Sequence, residues 1–448
     1  MYKSNPIGKK FFYMLRMLSL SGFLMVCNAT SPVLAGTFEG NQLFVSPTGN
    51  DGVSRAQNTI ATPWKTISKA MLTAEAGDVV NFRAGTYTVT SDIITHDAAN
   101  DGTVDKRIVY TNYKDEEVTF SGGRIRIDRK YWTISGINGT TGSILFWVGK
   151  DTDGDNIIIE NGTFKLTQEG GASNYAPITL QTAGSYNAII RNNTFIGPGA
   201  GLNENTAGLF VWRSRGLKVY GNEFSGFPSA LFYKHPNNAA DTGIEFYGNY
   251  FHDNAQGMKL ASLYANVHDN LFVNDEIRVG QAGGTGDAGP TNHGGDYNNI
   301  HHNTLYNSKI SLIATNEGDG WGATNNTVKD NIFHYGSLRI APYDDTPHNT
   351  TTDYNLYPAA ERIVNNRVNY TLSAWKAFYG QDAHSIEGSA TFVGGSNPSS
   401  ISGYLLSNGS LGYKQASDGK DLGANISLLL NLGLDGVARP KPPLVSAP

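Results

Sequence analysis

Four copies of one short pattern recur near the middle of this 448-residue chain: Asn193-Thr-Phe195, Asn222-Glu-Phe224, Asn249-Tyr-Phe251 and Asn270-Leu-Phe272. Further copies are Asn303-Thr-Leu305, Asn331-Ile-Phe333 and Asn355-Leu-Tyr357, with a degenerate one at Gly162-Thr-Phe164. The mean spacing is about 28 residues. A unit of this size cannot bury its own apolar face, so the repeat predicts stacked units that share one continuous core.

Short stretches of alternating apolar residues precede these copies, as in Ala188-Ile-Ile190 and Leu217-Lys-Val-Tyr220. They read as strands separated by Asn/Gly turns, and no helical pattern of 10–15 residues stands between them in the sequence. The pattern predicts an all-β fold, a single-stranded right-handed parallel β-helix with one coil per repeat. Asparagines at equivalent turns should stack in a ladder above an interior of Phe, Ile and Val.

The two ends of the chain read differently from the repeat. Residues 1–35 combine four basic residues, the apolar run Met17 to Val26 and a small-residue cleavage site at Ala35, which predicts a signal peptide and a secreted or periplasmic protein. The β-helix domain should then span 36–448. Within it, 42–90 should form an N-terminal cap and opening strands, with a capping helix from Thr66 to Ala74. About 360–448 should form a C-terminal cap and tail, with a short helix from Ser373 to Tyr379.

Composition narrows the possible partners. Charged residues make up only 16% of the chain, 52 residues are Gly, and the single Cys lies in the predicted signal. The net charge of −5 becomes about −9 once the four basic residues of the signal are removed. This balance argues against binding to nucleic acid or to a membrane surface, and no segment after the signal is long and apolar enough to span a membrane. A polyanionic partner is expected only if basic side chains gather locally, and we expect the chain to be a monomer.

Four basic residues interrupt apolar strands in four successive coils: Arg213, Lys234, Lys259 and Arg278. The number of residues between each lysine and the next turn asparagine differs by four for Lys234 and Lys259. The insertion Asn237-Asn-Ala-Ala240 would account for that difference. The count therefore predicts that both lysines lie in one column on neighbouring coils. A basic stripe on an acidic protein is what a polyanionic glycan requires.

Three N-terminal segments resemble the opening of secreted bacterial β-helix proteins: Phe44-Val-Ser-Pro-Thr-Gly-Asn-Asp51, Pro63-Trp-Lys-Thr-Ile67 and Gly77-Asp-Val-Val-Asn-Phe-Arg-Ala-Gly-Thr-Tyr87. That group includes polysaccharide lyases of the family 9 (pectate lyase) and family 6 (alginate lyase and chondroitinase B) types. The resemblance implies the fold for most of the mature chain, and a lyase activity on an acidic polysaccharide. A fold alone does not determine the reaction.

The run Tyr233-Lys-His235, followed one coil later by Gly257-Met-Lys-Leu-Ala-Ser262, is similar to family 6 lyases. In that family a lysine on one coil is the base and an arginine on the next is the acid. The resemblance implies that Lys234 is the base and puts Lys259 at the arginine position. Phe227-Pro-Ser-Ala-Leu231 stands where family 6 has acidic calcium ligands, so Ca²⁺ stays open as a cofactor and its ligands are unassigned. Four acids in the turns are candidates: Asp253, Asp269, Asp275 and Glu276.

The chemistry of β-elimination supports the same choice of residues. A lysine with an ordinary pKa of about 10.4 is a poor base, and a second cation nearby would lower that pKa. We predict catalytic roles for Lys234, Lys259 and Arg278. The predicted substrate-binding residues are Arg213, Trp212, Tyr233, His235 and His293, the last in a long Gly-rich insertion. The alternatives are a β-helix glycoside hydrolase with paired carboxylates, a non-catalytic glycan-binding solenoid, and an epimerase that shares the proton abstraction.

Overall fold

The computed structural model describes residues 38–96, 98–181, 185–234, 242–280, 294–313, 323–340, 349–365 and 367–435. These residues form three sheets of twelve strands each. Each coil contributes one strand to sheet 1, then one to sheet 2, then one to sheet 3. Every strand pairs in parallel with its equivalent in the next coil, except for one antiparallel pair that ends sheet 3. The architecture is the predicted parallel β-helix.

Sheet 1 contains the strands Asn41–Val45, Asp78–Phe82, Ile108–Asn112, Trp132–Ser135, Ile158–Glu160, Ile189–Arg191, Lys218–Tyr220, Glu245–Tyr247, Asn266–His268, Asn299–His301, Thr327–Lys329 and Thr351–Asp353. Sheet 2 contains Gly85–Val89, Val118–Gly122, Asn138–Thr141, Thr163–Leu166, Thr194–Ile196, Glu223–Ser225, Tyr250–His252, Leu271–Val273, Thr304–Tyr306, Ile332–His334, Leu356–Tyr357 and Ile386–Glu387. Sheet 3 contains Ile93–Ile94, Ile125–Ile127, Phe146–Val148, Ile178–Leu180, Ala207–Val211, Ser229–Tyr233, Met258–Leu260, Glu276–Val279, Lys309–Leu312, Ser337–Ile340, Ile363–Asn365 and Val368–Tyr370.

Helices are few and short among the described residues. Helix α1 spans Ile67–Thr73 and is capped by the side chain of Thr66, which accepts a hydrogen bond from the Lys69 backbone. Helix α2 spans Leu372–Tyr379 and α3 spans Ile426–Asn431. The first two were predicted within one residue of their ends, whereas α3 was not predicted. Single turns of 3-10 helix occur at Arg55–Gln57, Tyr113–Asp115 and Ile401–Tyr404.

The predicted asparagine ladder runs along the corner between sheets 1 and 2. The backbone N–H of Asn222 donates to Asn249 Oδ1 at 3.0 Å, and the side-chain amide of Asn222 donates to the carbonyl of Ile190 at 2.8 Å. The same contacts repeat at five other fully buried members: Asn193, Asn249, Asn270, Asn303 and Asn331. Asn355, also fully buried, ends the ladder: its side chain donates to the Val328 carbonyl, and its backbone N–H donates to Ser385 Oγ at 2.7 Å. The ladder thus satisfies backbone groups that the turn takes out of the sheets.

The residue before each ladder asparagine explains the Asn, Gly and Asp content of the turns. This residue has a left-handed backbone, with φ of 53° at Asn192, 64° at Gly221 and 54° at Asp269. Gly, Asn and Asp reach that region at the lowest cost. One turn geometry therefore repeats along the solenoid and favours these residue types, although His302 and Tyr354 adopt it as well, with φ of 50° and 53°.

The interior is built by the third residue of the repeat. Rings of successive coils stack with centroids 4.6 Å apart for Phe195 and Phe224, 4.9 Å for Phe224 and Phe251, and 4.7 Å for Phe251 and Phe272. These spacings match the distance between neighbouring strands. The aromatic column belongs to the main apolar cluster, which also contains Met71 of α1.

The segment that follows sheet 3 packs against the outside of sheet 2. A second apolar cluster joins Leu271 and Ile332 of sheet 2 to Tyr404, Ile426 and Leu429 of this segment. The strand neighbours Phe272 and Phe333 point into the main cluster instead. Alternate residues of the sheet 2 strands therefore point to opposite faces of the sheet, one face packing in the main cluster and the other in the second cluster. No helix among the described residues is long and apolar enough to cross a membrane.

Candidate active site

One column of side chains on the outer face of sheet 3 holds the basic residues of interest. Strand pairing places Phe232 beside Lys259, and Lys259 beside Arg278. The flanking residues Met258 and Leu260 are buried in the main cluster. Because successive side chains of a strand alternate between faces, Lys259 and Arg278 point out of the solenoid. They come from neighbouring coils in direct register.

The prediction that Lys234 and Lys259 share a column is wrong. Phe232, not Lys234, is the register partner of Lys259, and Lys234 lies two residues further along the chain. The count from the turn asparagine assumed an insertion of four residues after Lys234, whereas the pairing corresponds to about six. Backbone hydrogen bonds between strands set the register, and the register cannot be counted from the sequence across a loop whose length is unknown.

Both lysines nevertheless meet at one aromatic ring. Lys259 Nζ lies 4.5 Å from the centroid of the Phe232 ring, and Lys234 Nζ lies 5.6 Å from the same centroid. Lys234 Nζ is also 5.1 Å from the Trp212 ring and donates to Asn174 Oδ1 at 3.0 Å. The site therefore has an aromatic floor with a cation on either side.

Glu204 is the residue that sequence reasoning missed. It lies in the loop before strand Ala207–Val211, and its Oε2 is 2.5 Å from Lys259 Nζ. Its Oε1 is 3.7 Å from Arg278 Nη1 and accepts a hydrogen bond from Gln256 Nε2 at 3.2 Å. Glu204 is 55 residues from Lys259 and belongs to no motif. Only the stacking of coils brings it to the pair.

The surroundings of Lys259 act on its pKa in opposite directions. Burial lowers the pKa of Lys259, which is 5% exposed, and the charge of Arg278 adds to the decrease, whereas the ion pair with Glu204 raises the pKa; the net shift is downward. Burial raises the pKa of Glu204, but the hydrogen bond and charge of Lys259 outweigh it and the net shift is downward. Glu204 is therefore an anion, and its side chain is 51% exposed.

The remaining predicted residues divide into three groups. Trp212 lies beside Lys234, as described above. Arg213 lies just after strand Ala207–Val211, three residues beyond Phe210, which is the register partner of Phe232. The buried Nε of Arg213 has no hydrogen-bond partner among the described residues. His235 and His293 lie outside the described residues.

Tyr233 is a correction to the predicted substrate-binding set. Its side chain is fully buried in the main cluster, and its hydroxyl accepts a hydrogen bond from the Ser214 backbone at 3.0 Å. Tyr233 alternates with the outward residue Phe232, so the pleat of the strand turns it inward. It cannot contact a substrate from there.

The four turn acids named as candidate calcium ligands do not converge among the described residues. Asp275 is buried and accepts two hydrogen bonds from Asn254, at 3.1 Å and 2.9 Å, and burial raises its pKa to about 8. Asp269 bonds to His268 at 2.8 Å, and Asp253 bonds to His252 at 2.7 Å. Glu276 lies 3.5 Å from Lys309. Each acid is thus occupied by a local partner.

Comparison with known proteins places the chain in no family. No protein-family model matches the chain. The chain is 37% identical over 83 residues to the uncharacterized protein YwoF of Bacillus subtilis (strain 168), an alignment that covers 18% of this chain and 16% of that protein.

Solved structures with a similar fold include several polysaccharide lyases. One is pectate lyase Pel9A, with a TM-score of 0.43, 15% identity, and coverage of 71% of this chain and 80% of that one. Another is the family 6 alginate lyase AlyGC, with a TM-score of 0.45, 13% identity, and coverage of 91% and 59%. A glycosidase, the lacto-N-biosidase of Eubacterium ramulus, is also similar, with a TM-score of 0.36, 11% identity, and coverage of 72% and 65%. At these identities and TM-scores the likenesses give no reaction for this chain.

Proposed function

We propose that this protein is an exported polysaccharide lyase that cleaves a uronate-containing chain by β-elimination, with Lys259 as the base. One observation carries the proposal. Lys259 and Arg278 stand in register on the outer face of sheet 3, and the carboxylate of Glu204 contacts both. The sequence resemblance implied a lysine on one coil and an arginine on the next. Lys259 and Arg278 fit that arrangement better than Lys234 and Lys259 do.

The reaction removes the C5 proton of a uronate and breaks the bond between C4 and its glycosidic oxygen. The electron pair of the C5–H bond forms the C4=C5 double bond, and the departing oxygen leaves with the electrons of its own bond and takes up a proton. Lys259 must be neutral to take the C5 proton, and its lowered pKa favours that form. The resemblance gives an arginine on the next coil as the acid, and we assign the protonation of the leaving oxygen to Arg278 on that ground.

Glu204 supports the choice of an acidic substrate. Its carboxylate is held by Lys259, Arg278 and Gln256 together. Arg278 and Gln256 can hold a carboxylate of the substrate in the same way, and Glu204 is exposed enough to swing aside. Exchange of one carboxylate for another would keep Arg278 paired, and the departure of Glu204 would leave Lys259 free to act as the neutral base.

Lys234 and Trp212 are assigned to binding rather than to proton abstraction. Lys234 lies beside two aromatic rings, and its ammonium group donates to Asn174. A sugar ring can stack on Trp212 while Lys234 contacts the carboxylate of a neighbouring uronate. The two residues then fix the register of the chain relative to Lys259.

A glycoside hydrolase fits this site less well. It needs a pair of carboxyl groups about 5–9.5 Å apart, one of them a general acid with a raised pKa. Glu204 has a lowered pKa because of Lys259. A carboxylate held as an anion by a lysine is poorly suited to donate a proton.

The test is to incubate the protein with alginate, polygalacturonate and chondroitin sulfate and follow the ultraviolet absorbance of an unsaturated uronate. We expect Lys259→Ala to lower kcat by about 10²–10⁴-fold. Lys234→Ala should mainly raise KM. Lys218→Ala is the matched control, because Lys218 is an exposed lysine paired with Glu245 on sheet 1.

Three results would contradict the proposal. New reducing ends without absorbance would identify a hydrolase, and neither signal on any of the three polymers would favour a binding protein. Full activity in Lys259→Ala would remove Lys259 from the chemistry. Export itself rests on residues 1–35, and a mature chain that begins at Gly36 in mass spectrometry would support it.

A further inference from the structure

Three side chains from successive coils meet at one corner near the N-terminal end of the solenoid, away from the proposed active site in the sequence. His96, Asp128 and Asp151 follow the sheet 3 strands Ile93–Ile94, Ile125–Ile127 and Phe146–Val148 in turn. Each residue offers one ligand atom, and these atoms all lie within 4.8 Å of one another. We call this group the corner cluster.

The environment of Asp128 is independent evidence that the corner cluster binds a cation. The residue is 1% exposed, and its Oδ1 accepts hydrogen bonds from the backbone of Asp151 at 2.9 Å and of Thr152 at 3.3 Å. Its Oδ2 is buried and accepts no hydrogen bond from any described residue. An unmatched carboxylate oxygen inside a protein is costly, so a buried group of this kind calls for a cation. One oxygen of the same carboxylate lies within 4.8 Å of the ligand atoms of both His96 and Asp151.

We propose that the corner cluster binds a divalent transition-metal ion of the zinc type. The donor set is one imidazole nitrogen and two carboxylate oxygens, and imidazole favours Zn²⁺ and its neighbours over Mg²⁺ or Ca²⁺. In tetrahedral coordination with metal–ligand distances of about 2.1 Å, neighbouring donors are about 3.4 Å apart. The three ligand atoms, which lie within 4.8 Å of one another, would therefore have to approach by up to about 1.4 Å when the ion binds.

The surrounding charges allow the ion to enter. Arg126 Nη1 lies 3.2 Å from Asp151, but Arg126 Nη2 also pairs with Asp92 at 3.0 Å. Arg126 can therefore keep Asp92 as its partner when Asp151 turns to the ion. Asp151 is 32% exposed on its side chain, which gives the ion a route from solvent.

The ion would cross-link three coils of the solenoid. Ile94, Arg126 and Trp147 are register partners in sheet 3, so one ligand comes from each of three consecutive turns. An ion that binds only the folded arrangement raises its stability by mass action. The effect does not involve Lys259 or the lyase reaction, so the two proposals can fail separately.

The experiment uses the full protein, purified without a polyhistidine tag and treated with chelator. Calorimetric titration with ZnCl₂ should detect one site, and excess Zn²⁺ should raise Tm by at least about 2 °C. Asp128→Asn should abolish both effects. Asp153→Asn is the matched control, because it removes the same charge two residues from Asp151 at a side chain that is 51% exposed and paired with Lys130.

Each other outcome is decisive. Asp151→Asn provides the same test if Asp128→Asn does not fold. Equal Zn²⁺ binding by the parent and by these variants would overturn the proposal, as would the absence of binding at 100-fold molar excess. Binding of CaCl₂ or MgCl₂ in preference to ZnCl₂ would overturn the assignment to a transition metal.

Discussion

Glu204 is the residue that most affects how Lys259 can act. Its carboxylate raises the pKa of Lys259, in opposition to burial and Arg278. A lysine base works only when it is neutral, so activity should rise with pH through the pKa of Lys259. An ion pair that holds the lysine protonated therefore restrains the free enzyme.

Glu204→Gln should move the acidic limb of the pH profile of kcat/KM to lower pH. Removal of the negative charge lowers the pKa of Lys259 further, because the hydrogen bond and charge of Glu204 are what raise it. The measurement is the initial rate of absorbance increase at a series of pH values. Glu245→Gln on sheet 1 is the control, and a limb that stays or moves to higher pH would contradict the role of Glu204.

Asp275 should make the stability of the protein depend on pH. Burial raises its pKa to about 8 in the folded state, against about 4 in the unfolded chain. Between these values the folded state holds a proton that the unfolded state has lost. The free energy of unfolding should therefore fall as pH rises from about 4 to about 8, by at most about 1.4 kcal/mol per pH unit.

Asp275→Asn should remove this slope and leave the protein more stable than the parent at pH 8. An amide keeps the acceptor for Asn254 and carries no charge to bury, as at the asparagines of the main ladder. Urea unfolding at pH 5, 6.5 and 8 measures the effect. Asp105→Asn, at an exposed position, should keep the slope of the parent. Equal slopes for Asp275→Asn and the parent would argue against a buried protonated carboxyl.

At the scale of the element, the turn between sheets 1 and 2 is the most regular structure in the chain. Each ladder asparagine accepts from the coil before it and donates to a carbonyl there as well. Removal of one member leaves buried donors and an acceptor without partners in that neighbouring coil. Such groups cost about 1–3 kcal/mol each.

Asn249→Ala should consequently lower the free energy of unfolding by about 2–5 kcal/mol. The substitution removes the acceptor for the Asn222 backbone N–H and the donor to the Val219 carbonyl. Urea unfolding followed by circular dichroism measures the change. Asn369→Ala, at an exposed position in the last strand of sheet 3, should change stability little. A loss below about 1 kcal/mol for Asn249→Ala would show that water replaces the ladder contacts.

At the scale of the whole molecule, charge is distributed unevenly. The chain has a net charge of −5, yet one outer column of sheet 3 contains Arg126, Lys259, Arg278 and Arg339. Stacked coils place such residues along a line, and a linear polyanion can follow that line. The solenoid thus converts scattered basic residues into one surface.

Activity on an acidic polysaccharide should therefore weaken as salt is added. Screening shortens the reach of surface charges from about 10 Å at 0.1 M to about 3 Å at 1 M. We expect KM to rise severalfold between 50 and 500 mM NaCl while kcat changes little. Circular dichroism at both salt concentrations checks that the fold persists. A KM that does not respond to salt would mean that the basic column does not bind the substrate.

The repeat made the fold predictable because one turn and one core position recur in every coil. The buried ladder requires an asparagine and the stacked core requires a Phe in each coil, so these residue types recur in the sequence at positions such as Asn222 and Phe224. Helices α1 and α2 were also visible, since their capping threonines and apolar spacing are local. Helix α3 was not, because its contacts are with a distant sheet.

The site was less accessible to the same reasoning. Lys234, Lys259 and Arg278 were identified as a group, but the partner of Lys259 was chosen by counting across a loop of variable length. Tyr233 was assigned to the surface, although the pleat of its strand turns it inward. Glu204 left no signal, because an acid in an irregular loop looks like any other until the coils are stacked.

The amino-acid sequence by itself determined the parallel β-helix, its asparagine ladder and the region of the basic residues. These follow from short-range patterns that repeat, and each copy reinforces the others. The tertiary structure alone decided which lysine stands beside Arg278, which side chains face outward, and that Glu204 joins them. The reason is that register between coils is set by backbone hydrogen bonds across about 20 to 30 residues of intervening chain, and loop length varies from coil to coil.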